Sequence, residues 1–370
     1  MTHRNGRSAW YLSLFAVLAL LLAACGDSTS DGSGGGGDGG GGDPDGEQTE
    51  AIADISGSIT GSGASFPDPF YQEAIGGLGD VAPDLTVTYD AVGSGSGKEA
   101  FSQELNDFAG TDSLVEEDDG IAEEDFYYIP TTAASIAAVY NLPDVEELNL
   151  SGETLAGIFQ RDITNWSDEA IAADNEGVDL PDLDITVAHR SDGSGTTANF
   201  TAYLGSAAPD VWELGSDDTV EWPADTQGGA QNPGVAQIVT QTEGGIGYVD
   251  FGNATELDLQ MASVENAEGN FVAPSVEATT GALAGAELAE DLTYDPLNGP
   301  GEDAYPITAP TYILVKPSYD DAATGEAVVE FVRWLITDGA DTYAADVGYA
   351  PIPDNFRDAA FEQLDAVEMG

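Results

Sequence analysis

Positive charge is almost missing from this sequence. Only 8 of its 370 residues are Lys or Arg, against 68 Asp or Glu, for a formal net charge of −60 at pH 7. A surface of that sign repels nucleic acid and anionic lipid, which excludes nucleic acid as a partner. It also opposes compaction unless salt screens it, because the Debye length shrinks to ~3 Å at 1 M. The acidity therefore reads as adaptation to a saline habitat. Cysteine is scarcer still: Cys25 is the only one, so no disulfide can form within the chain. The two histidines, His3 and His189, provide no His/Cys cluster for zinc. Neither a metal nor a cofactor is expected. Acidic runs such as Glu116-Glu117-Asp118-Asp119 read as solvated surface.

Signatures of catalysis are lacking too. No serine has glycine two residues to each side, so a nucleophile elbow is absent. Val92 and Glu99 stand where a Walker A loop ending at Gly97-Lys98 would need Gly and Ser/Thr. A Ser-His-Asp triad would rest on His189 alone once a leader carrying His3 is removed. The chain is not expected to be an enzyme.

What the chain does have is enough apolar residue, 42%, to bury a core. Its length suits two domains of ~150 residues plus ends. The N-terminus carries His3, Arg4 and Arg7, then an apolar run from Ala9 to Ala24 broken only by Ser13. That run is shorter than the ~20 residues a membrane span needs. It ends in Leu22-Ala23-Ala24-Cys25-Gly26, which resembles a bacterial lipobox. The expectation is a signal peptide over 1–24 and a lipidated Cys25 that anchors the chain to the outer face of the cell membrane. The Gly/Ser/Asp-rich stretch over 25–54 is expected to be a flexible tether.

Beyond it, strand-like and helix-like segments alternate, which predicts an α/β fold. Strands are expected at 58–62, 86–89, 136–140, 185–188 and 246–249. Helices are expected at 67–75, 98–106, 152–159, 196–204, 234–242 and 328–336. Two strand-like segments follow a proline, Ile129-Pro130-Thr131-Thr132 and Tyr305-Pro306-Ile307-Thr308. Chain crossings there divide the molecule into a discontinuous lobe, 55–131 plus 307–370, and a second lobe, 132–306.

Three Gly/Ser segments stand between a strand and a helix: Gly61 to Pro67, Gly93 to Lys98, and Arg190 to Thr197. Such junctions offer free backbone N–H groups and the positive end of a helix dipole, with hydroxyls as further donors. They can hold an anion without net positive charge. One such loop is usually only a helix cap; three point to an oxyanion site. Without Arg4 and Arg7, six cations remain: Lys98, Arg161, Arg190, Lys316, Arg333 and Arg357. Two lie at the loops. Arg190 suits an oxyanion because its planar fork binds two oxygens, and Asp192 is placed to steady that fork. Lys98 reads more simply as a solvated residue in the first turn of its helix.

These segments resemble the phosphate-binding proteins of high-affinity phosphate ABC importers along nearly the whole mature chain. The resemblance is carried by GSGASFPDPFYQ (61–72), YDAVGSGSG (89–97), DFAGTDS (107–113), RSDGSGTTANFTAYL (190–204), GGIGYVDF (244–251) and AYPITAPTYILV (304–315). It implies a two-lobed periplasmic-binding-protein (Venus-flytrap) fold with two hinge crossings, working as a monomer. The partners it implies are inorganic phosphate and the transmembrane permease subunits of the importer. Carried over by position, the phosphate ligands are Ser65, Phe66, Ser94, Asp112, Arg190, Ser194, Gly195 and Thr196, with Asp192 supporting Arg190. Asp112 would accept the proton that phosphate retains and sulfate lacks. A mismatch of that kind discriminates by ~10⁴–10⁵. The alternatives are a binder of another tetrahedral oxyanion, such as sulfate or molybdate, and a secreted phosphatase built on the same loops.

Overall fold

The computed structural model describes residues 44–370. Cys25, the leader and most of the tether lie outside the described residues. The last part of the expected tether forms a helix, α1 (Pro44–Ala53), rather than an open chain. The residues before Pro44 carry the glycine runs. From Glu47 the sequence turns to helix formers, and Ile52 reaches the core.

A ten-stranded mixed sheet organises the body. Its principal strands are β1 (Gly57–Gly63), β2 (Leu85–Ala91), β3 (Phe108–Thr111), β4 (Tyr127–Tyr140), β5 (Thr186–Arg190), β6 (Gln227–Gly229), β7 (Gly245–Asp250) and β8 (Thr308–Val315). They lie in the order β2-β1-β3-β8-β4-β7-β5-β6. Parallel pairing of β1 with β2 and β3, and of β5 with β6 and β7, requires helical crossovers. These include α2 (Asp68–Val81), α3 (Ser94–Ser102), α4 (Gly195–Ala207) and α5 (Gln231–Gln241).

The strand β4 joins the two halves. Its residues Tyr127 to Ser135 pair with β8, and Ile136 to Tyr140 pair with β7. The sequence suggested a strand from Ile136 and, apart from it, a strand-like segment at Ile129-Pro130-Thr131-Thr132, rather than one continuous strand. The longer strand reads as broken because Pro130 has no N–H for the ladder. A bulge absorbs it: Thr311 pairs with Thr132 and Tyr312 with Pro130, which leaves Thr131 as the extra residue. Every residue of β4 after Tyr127 is buried, so the strand shows no alternation of polar and apolar residues.

The expected helix over 98–106 starts earlier, at Ser94, inside the Gly/Ser segment. Gly93 makes this possible with φ of 95°, a value that favours glycine. The expected helix over 328–336 is the end of α6 (Ala322–Trp334), capped by Asp321 at the Thr324 N–H. In α2, Phe70, Tyr71, Ala74 and Leu78 are buried on one face. Burying a large apolar side chain of this kind contributes ~1.5–3 kcal/mol.

Candidate anion-binding site

The β1–α2, β2–α3 and β5–α4 junctions bring the three Gly/Ser segments together. The N-terminal turns of α3 and α4 meet closely: the Gly95 N–H donates to the Gly193 carbonyl at 3.2 Å. A Cβ on Gly195 would lie 2.6 Å from Cβ of Asp112, so only glycine permits this approach. Ser65, Ser94, Asp112, Arg190, Ser194 and Thr196 are all buried.

The hydroxyls share one polarity. Ser94 Oγ accepts from the Asp112 N–H at 3.4 Å and the Gly195 N–H at 3.2 Å, which engages both lone pairs. Ser65 Oγ accepts from the Asn232 N–H at 3.3 Å. Ser194 is the N-cap of α4, and its Oγ accepts from the Thr197 N–H at 3.2 Å. Each hydroxyl proton is left to be donated elsewhere. Phe66 differs: its ring is buried edge-on to Tyr349 and its carbonyl accepts from the Tyr349 hydroxyl. Its backbone N–H is the group it has to offer an anion.

Arg190 sits at the end of β5 with its guanidinium held by Asp192. Nε donates to Oδ1 at 2.9 Å and Nη2 pairs with Oδ2, the arrangement expected from the sequence. Asp192 Oδ1 also accepts from the Gln231 N–H at 3.0 Å. Arg190 Nη1 reaches Thr196 Oγ1 at 3.4 Å, which directs the fork toward the start of α4.

Asp112 follows directly on β3, facing Thr311 of β8. Its Oδ1 accepts from the Thr311 hydroxyl at 2.7 Å. Burial pushes its carboxyl up to about 8. The Thr311 bond and the Arg190 charge pull it down, while Asp218 and Asp250 add to the rise. A cleft of 510 Å³ opens against Asp112, with Asn199, Asp218, Tyr294 and Tyr312 among its walls.

Lys98 corrects an expectation. It is not solvated: its Nζ pairs with Asp119 at 2.8 Å and Asp218 at 3.0 Å and donates to the Leu114 carbonyl at 3.2 Å. Burial lowers its pKa, yet Asp218 and Asp119 more than offset this and hold it above the ordinary lysine value. The helix begins at Ser94, four residues before the lysine, and this turns Lys98 inward. Asp218 also accepts the Ser194 N–H at its carbonyl, 3.0 Å, so the clasp reaches the cap of α4.

Several residues here were given no role from the sequence, although Asn199, Thr311 and Tyr248 lie within the segments that carry the resemblance. Asn199 donates to the Asp112 and Gly195 carbonyls at 2.6 and 2.9 Å. Its position one helical turn after Gly195 was the available signal. Thr311, Asp218 and Asn232 come from distant segments and carried no local signal. The Tyr248 hydroxyl meets Thr197 Oγ1 at 2.6 Å and accepts from the Arg190 N–H at 3.2 Å, under the third loop.

Two halves on a shared strand, with hydroxyls, helix starts and one arginine converging between them, define a solute-binding protein of the two-lobed periplasmic type. The sequence matches the family described as "PBP superfamily domain" over residues 48–338. Curated relatives include the phosphate-binding protein PstS of Xylella fastidiosa, 34% identical over 318 residues and covering 84% of this chain and 85% of the relative. The PstS of Haemophilus influenzae is 36% identical over 302 residues, covering 80% and 89%. Among solved structures, the phosphate-binding protein of Stenotrophomonas maltophilia superposes with a TM-score of 0.65 at 22% identity, covering 83% and 94%. A high-affinity periplasmic phosphate-binding protein solved with phosphate gives 0.67 at 21%, covering 82% and 92%. The chain belongs to the PstS family of phosphate-binding proteins.

Proposed function

We propose that this chain captures inorganic phosphate between its two lobes and delivers it to the transmembrane permease subunits of an ABC importer. The observation that carries this is the composition of the site. Hydroxyls polarised to donate and a braced guanidinium converge with one buried carboxyl, Asp112, whose oxygens, once ionised, accept a hydrogen from the ligand. Donors suit any tetrahedral oxyanion, and the carboxyl suits one that carries hydrogen. The names of the relatives support the same ligand.

In this reading Ser65, Ser94, Ser194 and Thr196 donate hydroxyl protons, Phe66 donates its backbone N–H, the Gly195 N–H is shared between Ser94 Oγ and the ligand, and Arg190, steadied by Asp192, binds two phosphate oxygens. The lobes comprise 55–131 plus 307–370 and 132–306, with β4 and β8 linking them. The change of β4 from β8 to β7 between Ser135 and Ile136 supports a division near the first crossing. The chain acts as a monomer at the extracytoplasmic membrane face, anchored through Cys25, and its acidic surface is suited to saline surroundings. Among the described residues no helix is long and apolar enough to cross a membrane. A binding rather than a catalytic role is favoured at His189, whose Nδ1 contacts the Arg190 carbonyl at 2.8 Å and whose ring stacks on Trp222.

Calorimetric titration of the mature protein with phosphate, arsenate and sulfate in high salt tests the proposal. At a pH above about 8, the value to which burial lifts Asp112, tight phosphate and arsenate binding with far weaker sulfate binding is expected. Sulfate binding as tight as phosphate would move the assignment to a general oxyanion carrier, and hydrolysis of a phosphate monoester would move it to an enzyme.

A further inference from the structure

Asn232 is buried completely and belongs to no Gly/Ser segment. It is the second residue of α5, directly after Gln231, a non-glycine residue with φ of 60°. Its two nitrogens reach opposite sides of the candidate site. The backbone N–H donates to Ser65 Oγ at 3.3 Å, and side-chain Nδ2 donates to Thr196 Oγ1 at 3.5 Å. Its Oδ1 is buried with no hydrogen-bond partner. An unpaired buried amide oxygen costs stability that a leucine of similar size would not, so its presence calls for a role.

That role follows from proton counting at Thr196. A hydroxyl oxygen has two lone pairs and one proton. Thr196 Oγ1 receives Arg190 Nη1 at 3.4 Å and Asn232 Nδ2 at 3.5 Å. With both lone pairs engaged, the hydroxyl can only donate. Without Nδ2 the oxygen has a free lone pair, and the hydroxyl can turn to act as an acceptor, which an oxyanion repels.

We propose that Asn232 is a positioning residue for the anion site, fixing the Thr196 hydroxyl as a proton donor while its backbone N–H occupies one lone pair of Ser65 Oγ. This rests on the phosphate-binding reading above. It assigns the start of α5 as a fourth contributor, acting through Thr196 and Ser65 rather than on the ligand.

A double-mutant cycle tests it. Phosphate affinity is measured by calorimetry for the wild type, Asn232→Leu, Thr196→Val and the double variant, with a parallel cycle using Ser65→Ala. Asn232→Leu keeps the backbone N–H and removes only the amide. It is expected to weaken phosphate binding about tenfold without lowering the melting temperature, and to change affinity less than about twofold in the Thr196→Val background. Against Ser65→Ala its effect is expected to add in full. Equal losses with and without the Thr196 hydroxyl, or no loss at all, would overturn the proposal. If the leucine variant does not fold, Asn232→Ala in the same cycle reads the same coupling. A wild-type protein that binds no phosphate would sink the functional reading; a binding-competent wild type with an additive cycle would sink this inference alone.

Discussion

The Thr311 hydroxyl donates to Asp112 Oδ1 at 2.7 Å across 199 residues of sequence. The strand that carries Thr311 is thereby tied to the one carboxyl that faces the proposed ligand. The bond partly opposes the effect of burial, which raises the Asp112 carboxyl to about 8. Removing it with Thr311→Val is expected to raise that value further. NMR titration of the Asp112 carboxyl carbon in the ligand-free protein would show it.

Selectivity against sulfate is expected to increase with pH. Sulfate carries no proton and needs a protonated Asp112, whereas dibasic phosphate carries its own. Sulfate affinity should therefore fall about tenfold per pH unit above about 8, the value to which burial lifts Asp112, and phosphate affinity should fall less. In Asp112→Asn the two anions are expected to bind within about tenfold of each other. Competition titrations between pH 6 and pH 9.5 measure both effects.

The stability of the ligand-free protein is expected to fall as pH rises. Asp112 is pushed up to about 8 and Asp250 to about 6, both mainly by burial. A carboxyl raised in the folded state stabilises it fully below the ordinary carboxylate range, and that contribution is lost as pH climbs through the raised value. The Asp250 share should be lost by about pH 6 and the Asp112 share by about pH 8. Melting temperatures of the wild type and Asp112→Asn, taken at fixed salt, should converge toward the acid end and separate toward the alkaline end, where only the wild type carries the buried charge.

Breaking the Lys98 clasp is expected to cost more than a surface ion pair. In Lys98→Met the partly buried Asp119 and Asp218 lose their shared cation. A loss of about 3 kcal/mol is expected, as for a buried charge left unpaired. Adding Asp218→Asn should restore part of it. Chemical denaturation of the wild type and the two variants gives the values.

Gly195→Ala is expected to cost both affinity and stability. The added methyl would lie 2.6 Å from Asp112 Cβ and 2.7 Å from the Ser113 nitrogen. It sits in the first turn of a helix, where alanine is well tolerated. The close contacts rather than helix propensity decide the outcome: phosphate binding should weaken at least about a hundredfold, and the melting temperature without ligand should fall too, as calorimetry and thermal melts would show.

Legibility from sequence followed how local each feature is. The junctions at Gly61, Gly93 and Arg190 could be read because a strand, a glycine run and a helix start are contiguous. Asp192 could be paired with Arg190 because it stands two residues away. Asp112 could be placed only through the DFAGTDS resemblance, since nothing in composition separates it from the other 67 acidic residues. Lys98 was misread because its orientation depends on a helix starting inside a glycine-rich segment. Thr311 and Asn232 were invisible because tertiary pairing brings them to the site.

The strand β4 has a consequence for how the body comes apart. Tyr127 to Ser135 complete the ladder of one half, and Ile136 to Tyr140 that of the other, within one unbroken backbone. Melting either half strips partners from the same strand, and buried backbone groups do not remain unpaired. Neither half is therefore expected to fold as an independent unit. A calorimetric scan should show one cooperative transition, and grafting one half onto a relative's other half would have to bring β4 and β8 along.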